Sequence, residues 1–205
     1  MGVIGRIHGK YVFNRRVRVL SRHLVELIPP NAQILDVGCG DGKLGELIMQ
    51  QRPDVQIKGI DVLIRKHLHI PVTLFDGRLI PHADESFDIV MFIDVLHHIS
   101  DPELLLREAA RVSRANIIIK DHLNEALFAD TTLRFMDWVG NERHGVVLPF
   151  NFWSSKQWRE LFAGHNLKVE VFKKTLRIYP RPASWFFDRS LHFISQLSKN
   201  HNGLS

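Results

Sequence analysis

The sequence predicts an α/β fold in which a mostly parallel sheet is covered by helices on both faces. Short apolar runs alternate with helix-like segments between residues 31 and 121. The run Phe87–Val95 is apolar on both faces, as an interior parallel strand is. A glycine-rich turn follows the first run. In such sheets ligands bind beyond the carboxyl ends of the strands, so functional residues should follow strand ends.

The composition fits one globular domain and excludes several other classes of protein. The chain has 205 residues, of which 45% are hydrophobic and 24% charged, so wholesale disorder is excluded. No apolar run approaches the ~18 residues that span a bilayer. Cys39 is the single cysteine, which excludes an internal disulfide and a cysteine-based metal site. We therefore expect a cytoplasmic protein.

The first 30 residues carry the net charge of +5. Their basic residues are Arg6, Lys10, Arg15, Arg16, Arg18 and Arg22, against one acid, Glu26. Apolar residues recur at helical spacing at Phe13, Val17, Leu20, Leu24 and Leu27, and Pro29-Pro30 should end the helix. The pattern favours a helix that packs on the domain. The charge leaves open contact with lipid head groups or nucleic-acid phosphates.

The next elements follow in a regular order. The predicted strands are Gln33–Val37, Val55–Asp61, Val72–Phe75, Phe87–Val95 and Asn116–Lys120. A helix is predicted around Leu44–Met49, ending near Pro53. A second helix should start at the capping residue Ser100, with Pro102 and Glu103 in its first turn, and continue through Val112.

The turn Asp36-Val37-Gly38-Cys39-Gly40-Asp41-Gly42 is the strongest functional motif. Its alternating glycines remove the Cβ atoms from one side, so a ligand can lie against the backbone. Asp61 ends the second predicted strand, where a carboxylate commonly binds ribose hydroxyls. Together these features predict a nucleoside-containing ligand.

Two cofactors fit such a motif. Residues Gly40 to Gly45 match the G-x-G-x-x-G pattern, which leaves an NAD-dependent oxidoreductase as an alternative. However, the turn begins two residues earlier, at Gly38. Asp36 and Asp41 would repel a pyrophosphate but suit a cationic ligand such as S-adenosylmethionine, which carries a sulfonium and an ammonium.

The sequence resembles class I S-adenosylmethionine-dependent methyltransferases, most closely the methyltransferase type 11 group of mostly small-molecule enzymes. The resemblance rests on D-V-G-C-G-D-G, G-I-D, F-D-G, S-F-D-I-V-M-F-I-D-V-L-H-H and D-P-E-L-L-L-R-E-A-A-R-V, in that order, over residues 31–121. It implies a Rossmann-like seven-stranded sheet whose last strand is antiparallel. It also implies S-adenosylmethionine as cofactor and a small-molecule acceptor.

The resemblance also implies the cofactor-binding residues. Asp36, Gly38 and Gly40 would contact the methionine end and Asp61 the ribose. Asp76, with Phe75 and Gly77 beside it, would meet the adenine, and Asp94 and Val95 would face cofactor and substrate. Cys39 and Val62 complete this predicted site as neighbours of these residues. One position differs from the family pattern: Lys43 occupies a turn position at which the family often has a small or aromatic residue.

Methyl transfer from a sulfonium is an in-line displacement, which needs a base only when the acceptor must lose a proton. His98 and His97 follow the fourth strand and are the predicted catalytic residues, although a packing role is also open. Asp121 and His122 lie on the same rim. Asp94, Asp121 and the histidines have no diagnostic metal-ligand spacing, so no metal site is predicted.

The whole chain, residues 1–205, is predicted to form one methyltransferase domain. Residues 1–30 are predicted as the basic helix and residues 31–121 as the cofactor-binding core. Residues 122–153 are predicted as a substrate lid, 154–182 as a helix and a ribbon of two strands (Leu167–Phe172 and Thr175–Tyr179), and 183–205 as an amphipathic tail. Ser154 and Gln157 should cap that helix.

The basic helix and the aromatic tail together leave open peripheral membrane contact and a lipid or quinone acceptor. An RNA methyltransferase is the other open alternative. The neutral charge of the rest of the chain does not favour nucleic acid. The oligomeric state stays open.

Overall fold

Seven strands form one sheet in the computed structural model, which describes residues 15–125, 152–179, 184–187 and 191–200 and the helical positions Ala129, Thr131 and Leu133. The strands are β1 Gln33–Val37, β2 Gln56–Asp61, β3 Val72–Leu74, β4 Phe87–Ile93, β5 Ser113–His122, β6 Leu167–Lys173 and β7 His192–Lys199. The described α-helices are α1 (15–25), α2 Lys43–Gln51, α3 Pro102–Val112, α4 Ser155–Gly164 and α5 Ser184–Phe187, and a short 3-10 helix, Leu96–His98, follows β4.

The strand order is β3-β2-β1-β4-β5-β7-β6. Strands β1 to β5 pair in parallel, whereas β7 runs antiparallel to both β5 and β6. This confirms the predicted α/β class and the antiparallel last strand. The order reverses between β1 and β4, so the ligand crevice is expected beyond the ends of those two strands.

Alternating side chains of the strands build two separate cores. On one face Ile34 and Ile118 pack with Leu20 and Leu24 of α1 and Ile48 of α2. The other core is formed by the neighbouring strand residues together with α3 and α4, including Leu35, Ile119, Leu105, Trp158 and Phe162. Helices therefore cover both faces of the sheet, which explains the continuous apolar runs of its central strands.

Helix α1 has the amphipathic pattern that the sequence predicts. Val17, Leu20 and Leu24 are buried, and Arg18 and Arg22 are exposed. Phe13 lies outside the described residues. Within the described part of the chain, no helix combines the length and the apolar character needed to cross a bilayer.

Local chemistry sets the starts of α3 and α4. The Asp101 carboxylate accepts the Leu104 N–H at 3.0 Å, and Pro102 is the first helical residue. The N-cap of α3 is therefore Asp101 and not Ser100 as predicted, because proline fits the first helical position. Ser154 and Gln157 form the predicted capping box of α4, with the Ser154 N–H donated to Gln157 Oε1 at 2.9 Å.

Two strand boundaries differ from the prediction in ways that matter for the site. Strand β4 ends at Ile93, because Asp94 adopts a left-handed φ of 57°. Strand β5 continues to His122, because β7 pairs with its last residues and His122 lies opposite His192. Asp121 and His122 are therefore strand residues and do not belong to a loop after the strand.

The predicted amphipathic tail and the predicted strand Thr175–Tyr179 are both wrong. Residues 192–199 form β7, and among the tail residues that the structure describes the helical ones are Ser184–Phe187. Leu176 and Ile178 are buried on the α1 side of the sheet without belonging to a strand. Because β7 lies between two strands and is covered on both faces, its short apolar run cannot be distinguished from a helix by periodicity. The tail therefore gives no support to membrane contact.

Most of the predicted lid, residues 126–151, lies outside the described residues apart from Ala129, Thr131 and Leu133. Ala129 and Leu133 are buried and pack with Phe152 and Leu191. The predicted lid function stays a prediction.

We predict that Phe193→Ala lowers the free energy of unfolding by about 3–5 kcal/mol, because a buried aromatic ring is removed from a packed core. Phe193 is 0% exposed and stacks on Phe172 at 4.9 Å. Urea unfolding checks this value. Trp185→Ala is the control, since Trp185 is 64% exposed and should change stability little. Equal, small effects of both substitutions would contradict the burial of β7 in the sheet.

Candidate active site

The turn between β1 and α2 lies over the point where the strand order reverses. Gly38, Gly40 and Gly42 have left-handed φ values of 74°, 62° and 77°, which side chains rarely adopt. A Cβ on Gly38 would lie 2.6 Å from Val95 Cγ2, and the Gly38 N–H donates to the Ile60 carbonyl at 2.8 Å. The backbone of the turn is thus held against the ends of β2 and β4.

Cys39 faces into the protein from this turn. A Cβ on Gly59 would clash with the Cys39 Sγ atom, so the missing side chain in β2 makes room for the thiol. Burial, followed by the negative charge of Asp36, raises the pKa of the Cys39 thiol. The thiol therefore stays protonated and serves to pack the turn onto β2.

Asp61 lies beside the turn, at the position that the sequence predicts. Its carboxylate accepts the Gly40 N–H at 2.8 Å on Oδ2 and the Leu63 N–H at 2.9 Å on Oδ1. The side chain therefore fixes the loop after β2 and the glycine turn together. Because each carboxylate oxygen has two acceptor sites, Asp61 retains capacity for two ligand hydroxyls.

Phe75 and Gly77, two of the three residues predicted at the adenine, lie close to Asp61 and Val62. The Phe75 N–H donates to the Asp61 carbonyl at 3.1 Å, and a Cβ on Gly77 would lie 3.2 Å from Val62 Cγ1. Val62 is 59% exposed, an uncovered apolar surface beside the turn. Two backbone N–H groups that follow Asp76 hydrogen-bond its carboxylate and lower its pKa.

A cavity of about 640 Å³ lies between α1 and the glycine turn. Its lining includes five of the predicted residues, Asp36, Gly38, Cys39, Gly40 and Asp94. The remaining predicted residues lie outside the lining. Sequence reasoning missed the α1 wall, formed by Arg16, Val17 and Leu20, and the basic segment 65–67. The spacing of the apolar residues Val17 and Leu20 indicates which face of α1 packs on the domain. It does not indicate that this helix also covers a cavity.

Asp36 has an unusual electrostatic environment. The side chain is 2% exposed at the end of β1. Burial, and then the charge of Asp61, raises the pKa of Asp36 to about 8. Without a neighbouring cation this carboxyl group is therefore mostly neutral at neutral pH. A cationic ligand placed against it would favour the ionised form.

Asp94 connects three elements of the site. Its two carboxylate oxygens form separate ion pairs, one with Arg16 of α1 and one with Lys120 of β5. Burial alone would raise the pKa of Asp94, but the charges of Lys120 and Arg16 outweigh burial and hold the pKa well below its usual range. Lys120 is 0% exposed, and burial lowers its pKa despite the attraction of Asp94.

A second polar group lies across the sheet from this ion pair. The buried Asp121 carboxylate lies 2.6 Å from His97 Nδ1 and accepts the His122 backbone N–H at 2.8 Å. Burial would raise the pKa of Asp121, but His97 and His122 outweigh it and lower the pKa. The His98 ring packs 3.7 Å from the His97 ring and is half-buried.

The pairing of His97 with Asp121 is a relation that the sequence did not reveal. Donor atoms of His97, Asp121 and His122 all lie within 4.8 Å of one another. Such a set can bind a metal ion, or its carboxylate can orient an imidazole as a proton acceptor. Burial lowers the pKa of His122 to about 4, with Lys120 adding to the effect, so this imidazole is neutral at neutral pH.

Comparisons with known proteins agree with this geometry. A family model described as "Methyltransferase domain" matches residues 9–171. The 2-methyl-6-phytyl-1,4-hydroquinone methyltransferase of Synechocystis sp. is 24% identical over 146 residues, which cover 67% of this chain and 41% of that protein. The tRNA (carboxymethyluridine(34)-5-O)-methyltransferase of Schizosaccharomyces pombe is 32% identical over 92 residues, which cover 42% of this chain and 38% of that protein.

Solved structures show the same fold. A methyltransferase of Haloferax volcanii, determined in complex with the activator Trm112, superposes with a TM-score of 0.70 at 16% identity, covering 94% of this chain and 93% of that chain. The curated relatives are longer proteins, of which this chain spans between 37% and 47%. The family match covers most of the chain and contradicts the oxidoreductase alternative. The chain belongs to the family of class I S-adenosylmethionine-dependent methyltransferase domains.

Proposed function

We propose that this protein transfers a methyl group from S-adenosylmethionine to a hydroxyl group of a small-molecule acceptor, with a quinol or phenol as the favoured class. The observation that carries the proposal is the position of two polar groups at the same strand ends. Asp36 and Asp94 line the cavity beside the glycine turn, and His97, three residues after Asp94, pairs with Asp121 near the end of β5.

The cofactor half of the proposal follows from charge and shape. The methionine end would lie against Gly38, Cys39 and Gly40, where no Cβ of the two glycines obstructs it. Its cationic groups would be balanced by Asp36 and Asp94. Arg16, which lines the same cavity, suits the carboxylate of the cofactor.

The nucleoside half would extend toward β2 and β3. We assign the ribose hydroxyls to Asp61, because its carboxylate keeps free acceptor positions beside the turn. The adenine would cover the exposed Val62 and lie beside Phe75, Asp76 and Gly77. Val95, which packs against Gly38, would help to separate cofactor from acceptor.

Catalysis would come mainly from holding the acceptor oxygen in line with the methyl carbon and the sulfur. Because a hydroxyl must lose its proton, we assign proton transfer to His97. The Asp121 carboxylate lies 2.6 Å from His97 Nδ1 and can orient the imidazole as a proton acceptor. His98, the other predicted catalytic residue, packs on the His97 ring, and we assign it to acceptor contact.

We predict that Asp61→Ala weakens binding of S-adenosylhomocysteine by about 1–3 kcal/mol, because ribose hydrogen bonds to a charged group are lost. Isothermal titration calorimetry measures the affinity. Asp88→Ala is the matched control, since Asp88 accepts the Gln33 N–H at 2.8 Å in a comparable way but at the start of β4, away from the carboxyl ends of the strands. Unchanged affinity in a folded Asp61 variant would remove Asp61 from the cofactor site.

We predict that binding of S-adenosylmethionine releases protons at neutral pH. Asp36 is mostly protonated below its pKa of about 8, and a bound cation favours its ionised form. Affinity should therefore rise as pH increases toward 8, and proton release should vanish above that value, where Asp36 is already ionised. Calorimetry in two buffers of different ionisation enthalpy measures the released protons. Asp36→Asn should abolish the release; persistence of the full signal in this variant would contradict the assignment.

We predict that His97→Ala lowers the rate of methyl transfer by about 10²–10⁴-fold, the range expected when a positioned base is lost. Asp121→Asn should lower the rate because the asparagine amide cannot orient His97 in the same way. Both variants should still bind S-adenosylhomocysteine. His122→Gln is the control. It changes another member of the same buried group, so it shows how much activity is lost through structural disruption alone. Full turnover in His97→Ala would exclude a base at this position.

The acceptor class is tested by supplying S-adenosylmethionine with a labelled methyl group to the purified protein. One arm contains a panel of hydroquinones and phenols, and the other contains total tRNA. Label in the hydroxyl acceptors supports the proposal. The likeness to a tRNA methyltransferase makes tRNA the second candidate, and label in tRNA alone would overturn the small-molecule assignment.

A further inference from the structure

A second cavity, of about 560 Å³, lies on the outer side of α1, separate from the cofactor cavity. Arg15, Val19, Arg22 and Glu26 line it from α1, and Arg177 lines it from the segment after β6. The adjacent residues Arg16 and Val17 line the cofactor cavity. One helix therefore forms a wall of both cavities, and we call the outer one the basic groove.

The basic groove carries excess positive charge. It brings together the guanidinium groups of Arg15, Arg22 and Arg177 from two distant parts of the chain. Glu26 is the one carboxylate in its lining, and it already pairs with Lys173 at 3.4 Å. Among the residues that the structure describes, none of the three arginines has a carboxylate within ion-pair distance, and Arg15 Nε is a buried donor that lacks a hydrogen-bond partner.

The walls of the basic groove are fixed to each other by His23. Lys173 Nζ donates to His23 Nδ1 at 2.9 Å, so Nε2 carries the proton that is donated to the Leu176 carbonyl at 2.9 Å. Leu176 and Ile178 are buried on either side of Arg177, which has a left-handed φ of 51°. The exposed Arg177 is therefore presented by an anchored segment.

Holding like charges together without a counter-ion opposes folding unless an anion compensates them. Guanidinium groups form paired hydrogen bonds with phosphate oxygens, and arginine is favoured over lysine for this purpose. We propose that the basic groove binds a phosphate group, carried either by a free phosphorylated molecule or by a lipid head group. This site is independent of methyl transfer, because no groove residue is assigned to cofactor or acceptor.

The test compares the unsubstituted protein with three single variants, Arg22→Gln, Arg177→Gln and Arg18→Gln. Arg18 is an exposed arginine of the same helix that does not line the groove, so it is the control matched for charge. Calorimetry with inorganic phosphate measures the site directly. Co-sedimentation with vesicles of phosphatidylglycerol, against vesicles of phosphatidylcholine, measures head-group binding. Circular dichroism and S-adenosylhomocysteine affinity confirm that each variant is folded.

We expect Arg22→Gln and Arg177→Gln each to weaken phosphate binding about tenfold, as loss of a charge-assisted hydrogen bond does, and Arg18→Gln to leave it unchanged. Binding to inorganic phosphate alone supports a free phosphorylated ligand. Additional binding to phosphatidylglycerol vesicles that the groove variants lose supports a head group. Absence of binding in both assays overturns the proposal. Equal weakening by all three variants also overturns it, because the binding would then follow net charge and not the groove.

Discussion

The arrangement of the site depends on the two ion pairs of the Asp94 carboxylate. Asp94 directly follows β4, and its two carboxylate oxygens pair separately with Lys120 of β5 and Arg16 of α1. A buried carboxylate without such partners would cost several kcal/mol, so removing either cation leaves a charge that the fold cannot easily accommodate. Asp94 makes these contacts from a left-handed backbone conformation with a φ of 57°.

Side-chain alternation in β5 divides the chemistry between the two faces of the sheet. Lys120 points to the α1 side and meets Asp94, whereas Asp121, one residue later, points to the other side and meets His97. Two neighbouring residues of one strand therefore pair with two different partners, Asp94 and His97. A shift of one residue in the pairing of β5 with β4 would exchange these partners, so strand register is a functional constraint here as well as a packing one.

The sequence predicted those features that depend on short, local patterns. The strands up to β5, the glycine turn with Asp61, and the Ser154–Gln157 cap all follow from residues close together in the chain. The features it missed depend on contacts between distant residues. Residues 192–199 are apolar enough for a helix, and only their position between β5 and β6 makes them a strand. In the same way, neither Arg16 nor Asp121 shows its partner in its local sequence.

The insertion of β7 between β5 and β6 has a consequence for biogenesis. Strand β5 is synthesised about 70 residues before its neighbour β7, and β6 has no partner until β7 arrives. On the ribosome, the apolar edge of β5 is therefore exposed while the intervening chain emerges. Until β7 arrives this edge can pair with a wrong strand, so completion of the His122–His192 pairing belongs among the last steps of folding.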